Sequence, residues 1–230
     1  MASRREFVRF AAAGLGVAAA RAYSKDRTAD EALRDLIRGN ERFSKGQPTG
    51  PRRRPEDFRA LAEGQYPEAV IVSCGDSRVA PEILFDVGVG DIFVVRMAGN
   101  VIEGAGVTVK GSIEYAIAEL HVRLIVILGH SGCGAVKSAM KHIDAKDSLP
   151  GAINGLVELV KPAVIKSREM PGDPLENAIR TNVELGIERL RGLEPILAPR
   201  VKDGTLKIIG GVYDLKTGLV TLVKSGLTRA

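Results

Sequence analysis

A chain of 230 residues with 45% hydrophobic and 27% charged side chains can bury one sizeable core, which excludes intrinsic disorder. Tryptophan is absent and aromatic residues make up 4%, which argues against a base-stacking nucleic-acid surface. Of the formal net charge of +5, residues 1–22 carry +3, from Arg4, Arg5, Arg9 and Arg21 against Glu6. The remainder is too small to call for an acidic partner, and the one other basic cluster, Arg52-Arg53-Arg54, reads as a solvated or subunit-contacting loop rather than a phosphate site.

The first residues read as an address. Ser3-Arg4-Arg5-Glu6-Phe7-Val8-Arg9 resembles the twin-arginine export signal of bacteria, and an apolar stretch from Phe10 to Ala20 follows it. Ala20-Arg21-Ala22 has the small-residue pattern of a cleavage site. About eleven apolar residues are too few to cross a ~30 Å hydrocarbon core as a helix. The expectation is an export peptide over 1–22 and one domain over 23–230, with a periplasmic location and no stable membrane insertion after cleavage. An uncleaved anchor or a helical arm on a partner subunit are the alternatives. The mature chain would hold two cysteines, Cys74 and Cys133. In an oxidising compartment two free thiols are a liability, and a bound metal would protect them.

Apolar Ala32, Leu33, Leu36 and Ile37 recur at helical spacing, with Thr28 or Asp30 available as cap. A polar, Pro-rich connection runs from Gln47 to Pro55. Three short β-branched runs, 69–73, 92–96 and 124–128, then read as fully buried parallel strands. Between the last two, Val109, Ile113, Ala116, Ile117 and Leu120 define one face of a helix. A further helix is expected over 175–191, then strands over 206–210 and 219–223 joined by a turn at 214–218. The alternation predicts an α/β fold: a mostly parallel central sheet of four to five strands flanked by helices, with an N-terminal helical arm.

Two of the strands end in unusual chemistry, where ligands of such sheets are expected. One runs into Cys74-Gly75-Asp76-Ser77-Arg78, another into Gly129-His130-Ser131-Gly132-Cys133-Gly134. Zinc prefers thiolate and imidazole, and three protein ligands leave one position open for catalysis. Spacing alone leaves two rivals: buried cysteines beside a hydrogen-bonded histidine, and a Cys/His nucleophilic pair. Gly129-His-Ser131-Gly-Cys133 lacks the closing glycine of a nucleophile elbow. Gly106–Ser112 has glycine and lysine in the wrong order for a phosphate loop.

The pattern C-x-D-S-R-V at 74–79 with G-H-x-x-C-G at 129–134 resembles the signature of beta-class carbonic anhydrases. The F-V-V-R run at 93–96, S-x-E-Y-A at 112–116 and Gly211-Val-Tyr-Asp extend the likeness over the chain. The resemblance implies reversible hydration of CO2 to bicarbonate by a zinc-bound hydroxide, with one zinc per chain held by Cys74, His130 and Cys133. It implies that Asp76, salt-bridged to Arg78, orients the zinc-bound water, and that the same carboxylate can instead ligate the metal. It assigns Gln65, Phe93, Tyr115 and Gly134 to the substrate pocket, at the interface of a homodimer or a tetramer of dimers. The departures are Ile71 in place of the Trp of a regulatory bicarbonate pocket, whose Arg96 is present, Gly75 in place of Ser or Ala, and Ala98 in place of Val. His121 and His142 are expected to be incidental. The rivals are CS2 or COS hydrolysis on the same scaffold and a non-catalytic zinc-binding protein.

Two thiolates cancel the formal charge of the metal, so bound water should be less acidic here than in an all-histidine site, where its pKa is about 7. CO2 hydration measured by stopped flow should therefore climb with pH on the alkaline side of neutrality. A profile flat from mildly acid to alkaline pH would contradict this.

Overall fold

In a computed structural model, residues 27–102 and 106–223 are described, so the export-signal reading of residues 1–22 falls outside the described part. The elements follow in order: α1 (Ala29–Ser44), β1 (Ala69–Ser73), α2 (Pro81–Leu84), β2 (Ile92–Arg96), α3 (Gly106–Ala118), β3 (Leu124–His130), α4 (Gly134–Ala145), α5 (Ala152–Ser167), α6 (Pro174–Arg191), α7 (Leu197–Lys202), β4 (Lys207–Tyr213) and β5 (Val220–Val223). The five strands form one sheet in the order β2-β1-β3-β4-β5. The first three pairings are parallel and β5 returns antiparallel across the 214–218 turn. Among the described residues, no helix is long and apolar enough to cross a membrane.

Every residue of β1 and β3 is buried, as expected of parallel strands covered on both faces. Strand alternation divides the core. Val70, Val72, Ile125 and Ile127 pack with α3 and α6 on one face, through Ile113, Ile117, Val183 and Ile187. Ile71, Leu124, Val126 and Leu128 pack on the other with α1 and α2, through Ala32, Leu36 and Leu84. The N-terminal helix therefore rests on the chain's own sheet. Its start is Thr28, whose hydroxyl accepts from the Glu31 N–H while Glu31 reaches back to the Thr28 N–H, a complete capping box.

Helix α6 comes close enough to the sheet to require glycines beneath it. A Cβ on Gly210 would lie 2.4 Å from Val183 Cγ1, and one on Gly129 would lie 2.8 Å from Val183 Cγ2. Sequence pattern gives no warning of α5. Gly151 caps it without a side-chain bond and Pro162 sits in its interior, so both ordinary start and continuation signals are missing. Packing against α4 and α6, through Val157, Val160 and Val164, holds it in place.

The arginine cluster is used within the chain. Arg52 pairs with Asp91, Arg53 donates to the Glu82 and Val87 carbonyls, and Arg54 pairs with Glu56 and Asp57. A second knot is centred on Asp86, whose side chain is fully buried. It accepts from the Thr49 and Gly50 N–H groups at 2.8–3.0 Å, from the Thr49 hydroxyl and from Arg42 Nε at 2.7 Å. Burial alone would raise its pKa, but these donors outweigh it and hold the carboxyl at about 2.

Because the folded value lies below the usual ~3.9, this carboxylate stabilises the fold fully above about pH 4, and the contribution is lost as pH falls toward 2. Asp86→Asn should cost about 2.5 kcal/mol near pH 6 in urea denaturation, and the deficit should shrink to about half by pH 3. A deficit independent of pH would contradict this origin.

Candidate metal centre

The strand order places the chemistry. From β1 the chain crosses outward to β2, and from β2 it returns over β1 to enter β3 on the other side. The loops leaving the carboxyl ends of β1 and β3 therefore diverge, opening a crevice between them. Ser73, the last residue of β1, pairs with Leu128, so Cys74 emerges beside Gly129 and His130. Cys133, on the short turn after β3, caps α4. One ligand atom from each of Cys74, His130 and Cys133 lies within 4.8 Å of the other two, and all three residues are buried.

The polar atoms around this triad fit a cation. His130 Nδ1 lies 3.0 Å from the Ser131 carbonyl, which fixes the proton on that nitrogen. Nε2 is then a lone pair, and it is fully buried without a hydrogen-bond partner. A buried acceptor with no donor is costly unless something electrophilic faces it. Cys74 Sγ accepts from the Gly99 N–H at 3.3 Å. The neighbouring Cys133 thiol is the main influence that pulls the Cys74 thiol below its ordinary value. Burial opposes the shift, while the Gly99 and Asp76 N–H groups add to it. The same contact, with burial, pushes the Cys133 thiol up. Two buried sulfurs beside an imidazole nitrogen mark where a divalent cation would sit, since thiols ligate as thiolates. The donor set of two sulfurs and one imidazole nitrogen is that of a zinc site with one position left open.

Asp76 stands at the rim. Arg78 grips it in a fork, Nε to Oδ1 at 2.9 Å and Nη2 to Oδ2 at 2.7 Å, and the Arg78 N–H adds a third bond at 3.0 Å. The Arg78 hydrogen bonds hold the carboxyl well below the usual carboxylate range, against the opposing effect of burial. Its Oδ2 lies 3.9 Å from His130 Nε2, so the carboxylate is beside the ligand cluster and turned to the arginine. Arg96, on β2, braces this loop from behind by donating to the carbonyls of Cys74 at 3.1 Å and Asp76 at 2.7 Å.

The carbonic anhydrase family profile matches residues 69–220, from the start of β1 into β5. A carbonic anhydrase of Mycolicibacterium smegmatis is 42% identical over 192 residues, covering 84% of this chain and 90% of that protein. The solved beta-carbonic anhydrase CcaA superposes with a TM-score of 0.67 at 28% identity, over 86% of this chain and 97% of that one. The chain belongs to the beta-class carbonic anhydrase family. Carbonic anhydrase 2 of Mycobacterium tuberculosis is likewise 42% identical over 192 residues, 83% of this chain and 91% of that protein. One of two tetrameric beta-carbonic anhydrases from Sordaria macrospora gives a TM-score of 0.65 at 26% identity, over 84% of this chain and 97% of that one.

Within one chain of this carbonic anhydrase, the expected site residues fall into two groups. Cys74, Asp76, Arg78, His130 and Cys133 converge, with exposed Gly134 next to Cys133 in the first turn of α4. Gln65 precedes β1 and so lies at the opposite end of the sheet, in a cavity of about 170 Å³ shared with Tyr66, His121 and Arg123. Phe93 and Tyr115 meet each other, with ring centroids 6.4 Å apart. Phe93 pairs with Val70, four residues before Cys74 and roughly 13 Å back along the strand. His121 follows α3 at the amino end of β3, roughly 20 Å along that strand from His130. His142 is bound to Asp147 at 2.5 Å. His121 is thus remote from the metal ligands within this chain.

Sequence patterning did not single out the groups that hold the ligands: the Ser131 carbonyl, the Gly99 N–H and the bracing role of Arg96. Backbone donors and acceptors carry no residue signature. One signal was available in Asn182, a buried amide on α6 beside Ala178, Ile179, Val183 and Gly186, with Thr181 the other buried polar residue of that helix.

Proposed function

We propose that this chain catalyses the reversible hydration of carbon dioxide to bicarbonate and a proton, with one zinc per chain held by Cys74, His130 and Cys133. The observation that carries the proposal is the forked Asp76–Arg78 pair beside the ligand cluster. A purely structural metal site has no use for an ionised carboxylate that is kept close and kept off the ligand position. Zinc, when bound, supplies a Lewis acid that makes water nucleophilic near neutral pH. Arg78 keeps Asp76 ionised, hence an acceptor only, and occupies both carboxylate oxygens from the solvent side. The carboxylate then accepts one proton of the attacking water in a hydrogen bond and leaves the oxygen lone pair aimed at the carbon of CO2. Apolar Val101 and Val136, packed with the two cysteines, suit a substrate that has no polar handle.

Gln65, Phe93 and Tyr115 complete the substrate pocket in this proposal, together with Gly134. They stand apart from the metal ligands of their own chain, so a second copy must bring some of them, which makes the working unit a homodimer or an assembly of dimers. Tyr66 and Tyr115, 49% and 48% exposed, support burial of that face. The domain spans 23–230, and residues 1–22 direct export to the periplasm by the twin-arginine route. Arg4→Lys combined with Arg5→Lys should leave unprocessed protein in the cytoplasm of a bacterial host; processing and export as before would remove this part of the proposal.

The reaction is tested by stopped-flow CO2 hydration on protein of known zinc content. The wild-type chain should turn over rapidly, and Asp76→Asn should keep its zinc while kcat falls about a hundredfold. Zinc-loaded wild-type protein that does not hydrate CO2, or an Asp76→Asn variant with unchanged kcat, would overturn the assignment.

A further inference from the structure

Gly99 lies on the short 3-10 turn Ala98–Asn100 that follows β2, and both of its backbone polar groups are committed. Its N–H donates to Cys74 Sγ at 3.3 Å, and its carbonyl accepts from Asn182 Nδ2 at 2.8 Å. Between them the backbone has φ 74° and ψ 11°, a left-handed conformation that glycine adopts without cost. Asn182 is 3% exposed and sits among aliphatic side chains, where an amide is expensive to bury unless its hydrogen bonds are needed.

The mechanical consequence follows from the backbone. Rotation about ψ of Gly99 moves its carbonyl, and rotation about φ moves the peptide that carries its N–H. Asn182 restrains the first and Cys74 the second, so the direction of the N–H toward the sulfur depends on α6 staying in register. Helix α6 is in turn seated on the sheet through Gly129, the residue before His130. We propose that Asn182 is a positioning residue for the metal site, acting through Gly99 to aim a hydrogen bond at the Cys74 sulfur. This rests on the metal-centre proposal above.

An N–H aimed at a ligating sulfur orders it and lowers the energy of its lone pair. Loss of the Asn182 amide should therefore loosen the ligand and raise the sulfur electrons. In Asn182→Leu, similar in size but without a donor, the zinc dissociation constant from chelator competition should rise about tenfold to a hundredfold. In the cobalt(II)-substituted protein, the thiolate-to-metal charge-transfer band should move to lower energy. Ile187→Val, which loosens the α6 core without touching Gly99, should lower the melting temperature and leave the band where it was. If Asn182→Leu does not fold, Asn182→Ala is read in the same way. An Asn182 variant that loses thermal stability but keeps the wild-type band and zinc affinity would overturn the inference and leave Asn182 a packing residue. A wild-type protein that takes up cobalt without any thiolate band would instead overturn the metal centre itself, and this inference with it.

Discussion

The parallel pairing of β1 with β3 is the constraint on which the site depends. Two fully buried strands, locked from Val70↔Ile125 to Ser73↔Leu128, bring residues 56 positions apart in sequence to one point. Side-chain direction in a strand has period two, so a slip of one residue would turn His130 to the other face and part it from Cys74. The apolar clusters on both faces make that slip expensive. Because the neighbouring connections leave in opposite directions, the point where the ligands meet is also where the backbone leaves a crevice.

Burying two sulfurs and an imidazole in an otherwise aliphatic cluster carries a penalty that packing alone does not remove. The molecule offsets part of it with backbone groups: the Gly99 and Asp76 N–H groups at Cys74, and the Ser131 carbonyl at His130. What remains is a fully buried Nε2 without a partner and a thiol held up against a neighbouring thiolate. Both are relieved together by a divalent cation. Asp76 is arranged differently: it is partly exposed, gripped by Arg78 donors and set at the rim. The same chain thus builds a dry, metal-binding floor and a wet, charged edge, which is the division of labour that hydration of an apolar gas requires.

Much of this was legible in the sequence because the signals were of the kinds that sequence carries. Strand runs rich in Val and Ile announced the sheet, and the Cys74–Arg78 and His130–Cys133 motifs at strand ends announced the metal. Helix α5 was not legible, since Pro162 and the uncapped Gly151 erase its local signature and only contacts with α4 and α6 define it. Arg96 was read in terms of a regulatory pocket; in the fold its guanidinium braces the Cys74–Asp76 loop. Gln65 shows a different limit. Its residue type is visible in sequence, but its place at the other end of the sheet from the ligands is visible only in the fold.

Zinc K-edge X-ray absorption on the purified chain tests the metal centre most directly. Two sulfur scatterers at about 2.3 Å with two nitrogen or oxygen scatterers at about 2.0–2.1 Å would match two cysteines, one histidine and one further oxygen ligand. A shell with fewer than two sulfurs, or a protein that retains no zinc, would contradict the centre on which the function rests.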